Sequence, residues 1–205
     1  MSDKPTVKLF VVDTGPLITL AASESLDCLA YIKCKVYIAD AVFLEATRER
    51  RKIGAQAIID WAQRNADFIQ ILPTQEMQRD RDLREIDPTY KRNKDLGERA
   101  SLELLNETDV IGENDKGVLV LEDHKVVKRL RLDDYNHLVP ISTMDLLSIL
   151  EEKMLIQSAD AIIERAIENG RTPAKRGYFD DHDEDVRDAV RDIVENAKPP
   201  APDEP

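Results

Sequence analysis

Apolar and polar positions alternate in blocks along this chain, and the blocks predict strands and helices in turn. The apolar, β-branched run Val7 to Val12 (VKLFVV) reads as a buried strand of a parallel sheet. Gly15-Pro16 punctuates it, and a helical stretch follows to about Ala30. Val36 to Ala39 is a second short strand, and Asp40 caps a helix through about Arg50. Gly54 to Asn65 is amphipathic, with Ala57, Ile58, Trp61 and Ala62 on one face. Phe68 to Leu72 is a third strand, ended by Pro73. Residues 74 to 93 are highly charged, weakly periodic and contain Pro88, so they read as a flexible loop with one helical turn at most. Asp95 to Glu107 is a helix, Val118 to Leu121 a strand, and Asp123 to about Leu132 a helix. A last strand, Leu138 to Ile141, precedes helices at Thr143 to Lys153 and Ala159 to Asn169.

Strands alternating with helices of this length imply βαβ units. The expected fold is α/β, an open parallel sheet with helices on both faces in a three-layer sandwich. The expected division is a main domain at 1–156, a C-terminal helical extension at 157–176, and an acidic, Pro-rich tail at 177–205 that is partly disordered.

Composition narrows the chemistry. Aromatics make up only 5% of the residues, which argues against a nucleic-acid binder that works by base stacking. No apolar run reaches the roughly 18 residues that span a bilayer, and the polar N-terminus is no signal peptide, so a cytoplasmic protein without a membrane partner is expected. Cys28 and Cys34 read as reduced thiols, and His124, His137 and His182 are scattered. Any metal is therefore held by oxygen, which points to magnesium or manganese. The net charge is −12, but residues 177–205 hold ten acidic and three basic residues, a net of −7, which leaves −5 for residues 1–176. Basic residues cluster at Arg48 to Lys52, Lys91 to Lys94 and Lys125 to Arg131, runs that by themselves are ordinary solvated faces.

In open α/β sheets ligands gather beyond the carboxyl ends of the strands. Asp13 and Asp123 fall at two such ends. Glu45 and Glu98 lie on helices that follow strands. Each has an ordinary reading: Asp13 and Asp123 as helix caps, Glu45 as a surface residue, and Glu98 as the partner of Asp95 in a capping box. Yet Glu98 shares a helical face with Leu102 and Leu105, a costly place for a carboxylate that is neither paired nor metal-bound. Several carboxylates on one sheet edge are what a hard divalent cation requires.

The segments Val11-Val12-Asp13-Thr14-Gly15-Pro16-Leu17-Ile18, Glu45, Leu96-Gly97-Glu98-Arg99-Ala100 and Leu119-Val120-Leu121-Glu122-Asp123 resemble, in that order, a PIN domain. The Gly-Glu pair resembles a prokaryotic, VapC-like branch, and Ser142-Thr143-Met144-Asp145-Leu146-Leu147 is similar to the family's Thr before a leucine-rich helix. The likeness covers roughly residues 7 to 156. Glu122-Asp123 stands where the family often has two aspartates, and the 74–93 segment is longer and more charged than usual. The resemblance implies a metal-dependent endoribonuclease that uses Mg2+ or Mn2+, with Asp13, Glu45, Glu98 and Asp123 as catalytic residues. Asp13, Glu98 and Asp123 would be the metal ligands, with Thr14, Asp95, Glu122 and Thr143 as secondary candidates. Arg50, Arg51, Lys52, Lys94, Lys125 and Lys128 are then candidates for the RNA-binding face. RNA is the implied substrate, and the toxin-type members add an antitoxin protein and a homodimeric state. Three rival readings are set aside. Asp13-Thr14-Gly15 is also the aspartic-protease triplet, but that fold is β-rich. A phosphoaspartyl-type α/β domain of the phosphatase kind wants an acid where Gly15 stands. A catalytically weak PIN-like interaction module would have lost one of the four acids, and none is lost.

Overall fold

A computed structural model of the chain describes residues 7–31, 34–106, 110–112, 115–123, 126, 137–173 and 191. Five strands, β1 (Val7–Val11), β2 (Val36–Ala39), β3 (Ile69–Leu72), β4 (Lys116–Leu121) and β5 (Leu138–Ser142), form one sheet in the order β3-β2-β1-β4-β5. Every pairing is parallel. Val11 at the end of β1 stands opposite Ile38 on one side and Val120 on the other. From β1 the chain winds outward to β2 and β3, then crosses back to β4 and β5. The winding therefore reverses between β1 and β4, the place where such sheets leave a crevice for a ligand.

Period-two alternation sends side chains to two cores. Leu9, Val11, Ile38, Val118 and Val120 pack on one face with α1 (Thr14–Ala22), α2 (Asp40–Thr47), α3 (Ala55–Arg64), α6 (Thr143–Glu152) and α7 (Ala159–Glu168). Phe10, Val12, Tyr37, Leu119 and Leu121 pack on the other with Val110, Ile111, Val126 and Leu105 of α5 (Leu96–Asn106). The three-layer α/β fold is thus as expected from the sequence. α7 is fastened to the main body, since Asn169 Nδ2 donates to the Ala22 carbonyl at 2.7 Å.

Three local expectations are corrected. The first helix stops at Ala22 rather than Ala30. Ser23 turns its hydroxyl back to the Thr19 carbonyl, Glu24 takes a left-handed φ of 55°, and a 3-10 turn at Leu26–Leu29 follows. Asp40 is the first residue of α2, not its cap, and α2 ends at Thr47. The Asp40 carboxylate instead accepts from the Thr74 hydroxyl at 2.8 Å. Finally, the charged 74–93 segment contains a 12-residue helix, α4 (Gln75–Ile86). Its stability is mostly borrowed. Thr74 caps the Met77 N–H, and Glu103 of α5 accepts from the N–H groups of Gln75 and Glu76 at 2.6 and 3.0 Å. Within the helix only Met77 and Asp80 are buried, which is why no apolar period reveals it. The helix expected from Asp123 to Leu132 lies outside the described residues except Asp123 and Val126, and the acidic tail lies outside them except Arg191.

Candidate active site

Asp13 follows β1 and does two jobs at once. It is the N-cap of α1, where its Oδ1 accepts from the Gly15 N–H. Its Oδ2 accepts from the N–H groups of Glu122 and Asp123, at 2.6 and 3.1 Å. One carboxylate thus ties the start of α1 to the turn after β4, across the reversal point of the sheet. Pro16 suits this helix start because it has no N–H to leave unsatisfied in the first turn. Burial pushes the Asp13 carboxyl above its ordinary value. The three N–H bonds pull it back, and the charge of Glu122 adds to the rise.

Gly15 is required by close approach. A Cβ there would stand 2.7 Å from Asp13 Oδ1 and 2.8 Å from Glu122 Cβ. Gly97 plays a milder version of the same part between α5 and α2, where a Cβ would lie 3.3 Å from Val42 and 3.4 Å from Glu45 Oε2. The Ser101 hydroxyl donates to the Val12 carbonyl at 3.1 Å, which fixes α5 against the end of β1.

These contacts frame an open pocket of about 160 Å3 with Asp13, Thr14, Glu45, Glu98, Asp123 and Lys94 among its lining residues. The four acids named from the sequence share this one pocket. Among the described residues, no three His, Cys, Asp or Glu side chains already stand as a metal-holding cluster. The donor set therefore fits a hard divalent cation by chemistry rather than as a finished cage. All four are carboxylates, and among the described residues Asp13 Oδ1 accepts from one backbone N–H where Oδ2 accepts from two, so Oδ1 keeps a lone pair for a cation.

Of the secondary candidates, Thr14 lines the pocket and Asp95 is exposed outside its lining. Glu122 and Thr143 lie behind it. Alternation along β4 carries Glu122 to the face of Val118 and Val120. There it is 8% exposed and accepts from the Thr143 hydroxyl at 2.8 Å and from Arg171 Nη2 at 2.9 Å. Glu122 and Thr143 thus bear on the pocket by holding the turn that holds Asp13. Arg50, Arg51 and Lys52 are exposed and do not line the pocket, Lys94 does, and Lys125 and Lys128 lie outside the described residues. Sequence reasoning missed Arg171, which acts on a residue 49 positions away and belongs to no spacing pattern.

The sequence model of a family described as a PIN domain matches residues 9–176. That family consists generally of nucleases that use divalent metal ions. No curated protein and no solved structure matches the chain.

Proposed function

Because the chain belongs to the PIN-domain family, we propose that it is a metal-dependent endoribonuclease whose centre is the pocket of Asp13, Glu45, Glu98 and Asp123. The single observation that carries this reading is that four carboxylates separated in sequence share one pocket at the reversal point of a parallel sheet. Asp13, Glu98 and Asp123 would hold Mg2+ or Mn2+, with Glu45 beside them. Such an ion supplies an activated water and stabilises negative charge on a phosphodiester. The chain's own residues do the rest. The N–H groups of Gly15, Glu122 and Asp123 orient the Asp13 carboxylate, and Lys94, in the pocket lining, offers its ammonium to an incoming phosphate. Without a cation, acids this dense repel a polyanion, so metal binding has to come before substrate.

The test is cleavage of labelled single-stranded and structured RNA by the purified chain with Mg2+, with Mn2+ and with EDTA. Internal cleavage that needs metal and is lost in Asp13→Asn supports the reading. RNA left intact under all metal conditions overturns it. The toxin role, an antitoxin partner and a homodimer belong to the same proposal. Growth arrest on expression of the wild-type chain but not of Asp13→Asn would support the first. Elution as a dimer, alone or with a co-expressed small protein, would read out the others.

A further inference from the structure

A second pocket, of about 230 Å3, shares a wall with the first. Glu45 and Lys94 line both, and the second adds Arg48, Arg92 and Asn93. The charge reverses across that wall. Among the described residues, the first pocket is lined by four carboxylates and one ammonium, the second by three cations and the shared Glu45.

The cations are not merely adjacent. Arg92 donates from Nε to Asp80 Oδ2 at 2.9 Å, and its Nη2 stands 2.9 Å from the same oxygen in an ion pair. Asp80 lies on α4, is 2% exposed, and its Oδ1 has no hydrogen-bond partner among the described residues. A buried ion pair with an unpartnered oxygen is a poor device for stability, because desolvation consumes most of the attraction. It is an effective device for position. It pins the irregular segment 87–95 onto α4, and that segment carries Arg92, Asn93 and Lys94 into the wall of the pocket. Arg48, the C-cap of α2, lines the same pocket. With Arg92 compensated by Asp80, Arg48 and Lys94 supply the surplus positive charge. Among the described residues Arg48 has a loose ion-pair contact with Glu49, at 3.7 Å.

We infer that this second pocket is a subsite for a backbone phosphate of the polynucleotide, one flanking the phosphate presented to the carboxylates. The inference rests on the nuclease reading and deepens it. A phosphodiester suits the site because the pocket is larger than the roughly 30 Å3 share of one water, offers guanidinium and ammonium donors, and lies next to a centre built for the neighbouring phosphate. It also relocates the substrate path. Arg50, Arg51 and Lys52, expected from the sequence to meet RNA, line neither pocket, and Arg48 from the same run does.

The experiment measures binding of a 2′-O-methyl phosphorothioate oligonucleotide, checked on a gel to be intact after each titration, to the wild-type chain, Arg48→Ala, Lys94→Ala and the triple variant Arg50→Ala/Arg51→Ala/Lys52→Ala, across a salt series with Mn2+ present. Arg92→Ala is made together with Asp80→Asn, so that no buried charge is left alone. Expected are losses of about three- to tenfold for Arg48→Ala and Lys94→Ala, each with a shallower salt slope, a loss with an unchanged slope for the double variant, which frees the segment without changing net charge, and little change for the triple variant. The Mn2+ affinity of Arg48→Ala stays as in wild type, which separates a lost subsite from a collapsed carboxylate pocket. Wild-type cleavage of RNA together with unchanged oligonucleotide affinity in Arg48→Ala and Lys94→Ala overturns the subsite and leaves the nuclease reading standing. A wild-type chain that binds no oligonucleotide overturns both. Inorganic phosphate is the last arm. Saturation by free phosphate at micromolar concentration, with oligonucleotide binding indifferent to Arg48 and Lys94, would assign the pocket to a free anion and overturn the inference.

Discussion

Arg171 Nη2 meets Glu122 Oε2 at 2.9 Å, with the two side chains 26% and 6% exposed. Its Nε also donates to the Thr19 hydroxyl on α1 at 3.1 Å. A single side chain three residues beyond α7 thus clasps α1 to the turn after β4, the same two segments that Asp13 joins from the pocket side.

Arg171→Ala leaves the Glu122 charge buried without its cation. The expected cost is about 1–3 kcal/mol in urea unfolding, below the range for a fully buried pair because Arg171 keeps contact with water. Arg171 is a positioning residue, so nuclease activity and Mn2+ affinity should fall together as the turn loosens. Arg171→Lys should restore part of each. Adding Glu122→Gln to Arg171→Ala should recover stability but not metal affinity, since the turn then has no charged anchor. Unchanged Mn2+ affinity in Arg171→Ala would remove the clasp from the mechanism.

Asp13→Asn separates chemistry from folding. The carboxamide keeps the shape but offers one acceptor oxygen where two serve three N–H groups. Cleavage should disappear while the chain still folds. The pH dependence has an unusual sign. The folded-state pKa of Asp13 lies above the model-compound 3.8, so the folded chain binds this proton more tightly than the unfolded one. Stability contributed by this group therefore rises as pH falls through the folded value towards 3.8, opposite to a salt-bridged aspartate. In EDTA, the stability of wild type minus that of Asp13→Asn should increase as the pH is lowered through that window. A flat difference would show that burial does not penalise the charge.

Metal should stabilise the wild-type chain by mass action, with about 2.7 kcal/mol expected at a hundred times Kd. Calorimetric scans with Mn2+ and with EDTA test this. The sheet and both cores are complete without a cation, so EDTA should leave the fold intact. No shift in Tm at saturating Mn2+ would count against any ion in the pocket.

The two thiols should be inert. Burial is the largest cause pushing both Cys28 and Cys34 up to about 12. At pH 8 only about one thiolate in ten thousand is present at such a value. Iodoacetamide should label neither residue in the folded chain and both in urea, followed by mass spectrometry. Rapid native labelling of the buried Cys28 would mean that its segment opens, whereas labelling of the half-buried Cys34 requires no opening.

Much of this architecture was legible because it follows from local periodicity. Period two in β1 and β4 places Asp13 and Asp123 at neighbouring strand ends, and it also carries Glu122 to the opposite side from its neighbour. Helix α4 was not legible because its stability comes from Glu103 on another helix and from a buried polar residue, Asp80, instead of an apolar stripe. The roles of Arg171 and Arg92 were not legible for a related reason, although Arg92 belongs to the basic run at Lys91 to Lys94. Their partners lie 49 and 12 residues away and were brought near only by tertiary packing.

The two tight glycines give a graded test of how the pocket is held. A Cβ at position 15 would meet Asp13 Oδ1 at 2.7 Å, Glu122 Cβ at 2.8 Å and Glu122 Oε2 at 3.0 Å. Neither neighbour can give way freely. Asp13 is fixed by three backbone N–H groups, and Glu122 by Thr143 and Arg171. Gly15→Ala must therefore push the turn after β4 away from α1. The expected cost is about 1–3 kcal/mol, together with loss of Mn2+ affinity and cleavage. At position 97 the nearest atoms stand at 3.3 Å and 3.4 Å, and the second is the far end of the exposed Glu45 side chain, which can swing aside. There the helix-propensity gain of alanine over glycine, up to about 1 kcal/mol, offsets the crowding. Gly97→Ala should unfold within about 1 kcal/mol of wild type, yet bind Mn2+ more weakly if Glu45 takes part in holding the ion. Equal Mn2+ affinity in Gly97→Ala and wild type, beside a damaged Gly15→Ala, would leave Asp13 and the β4 turn as the core of the site and remove Glu45 from it.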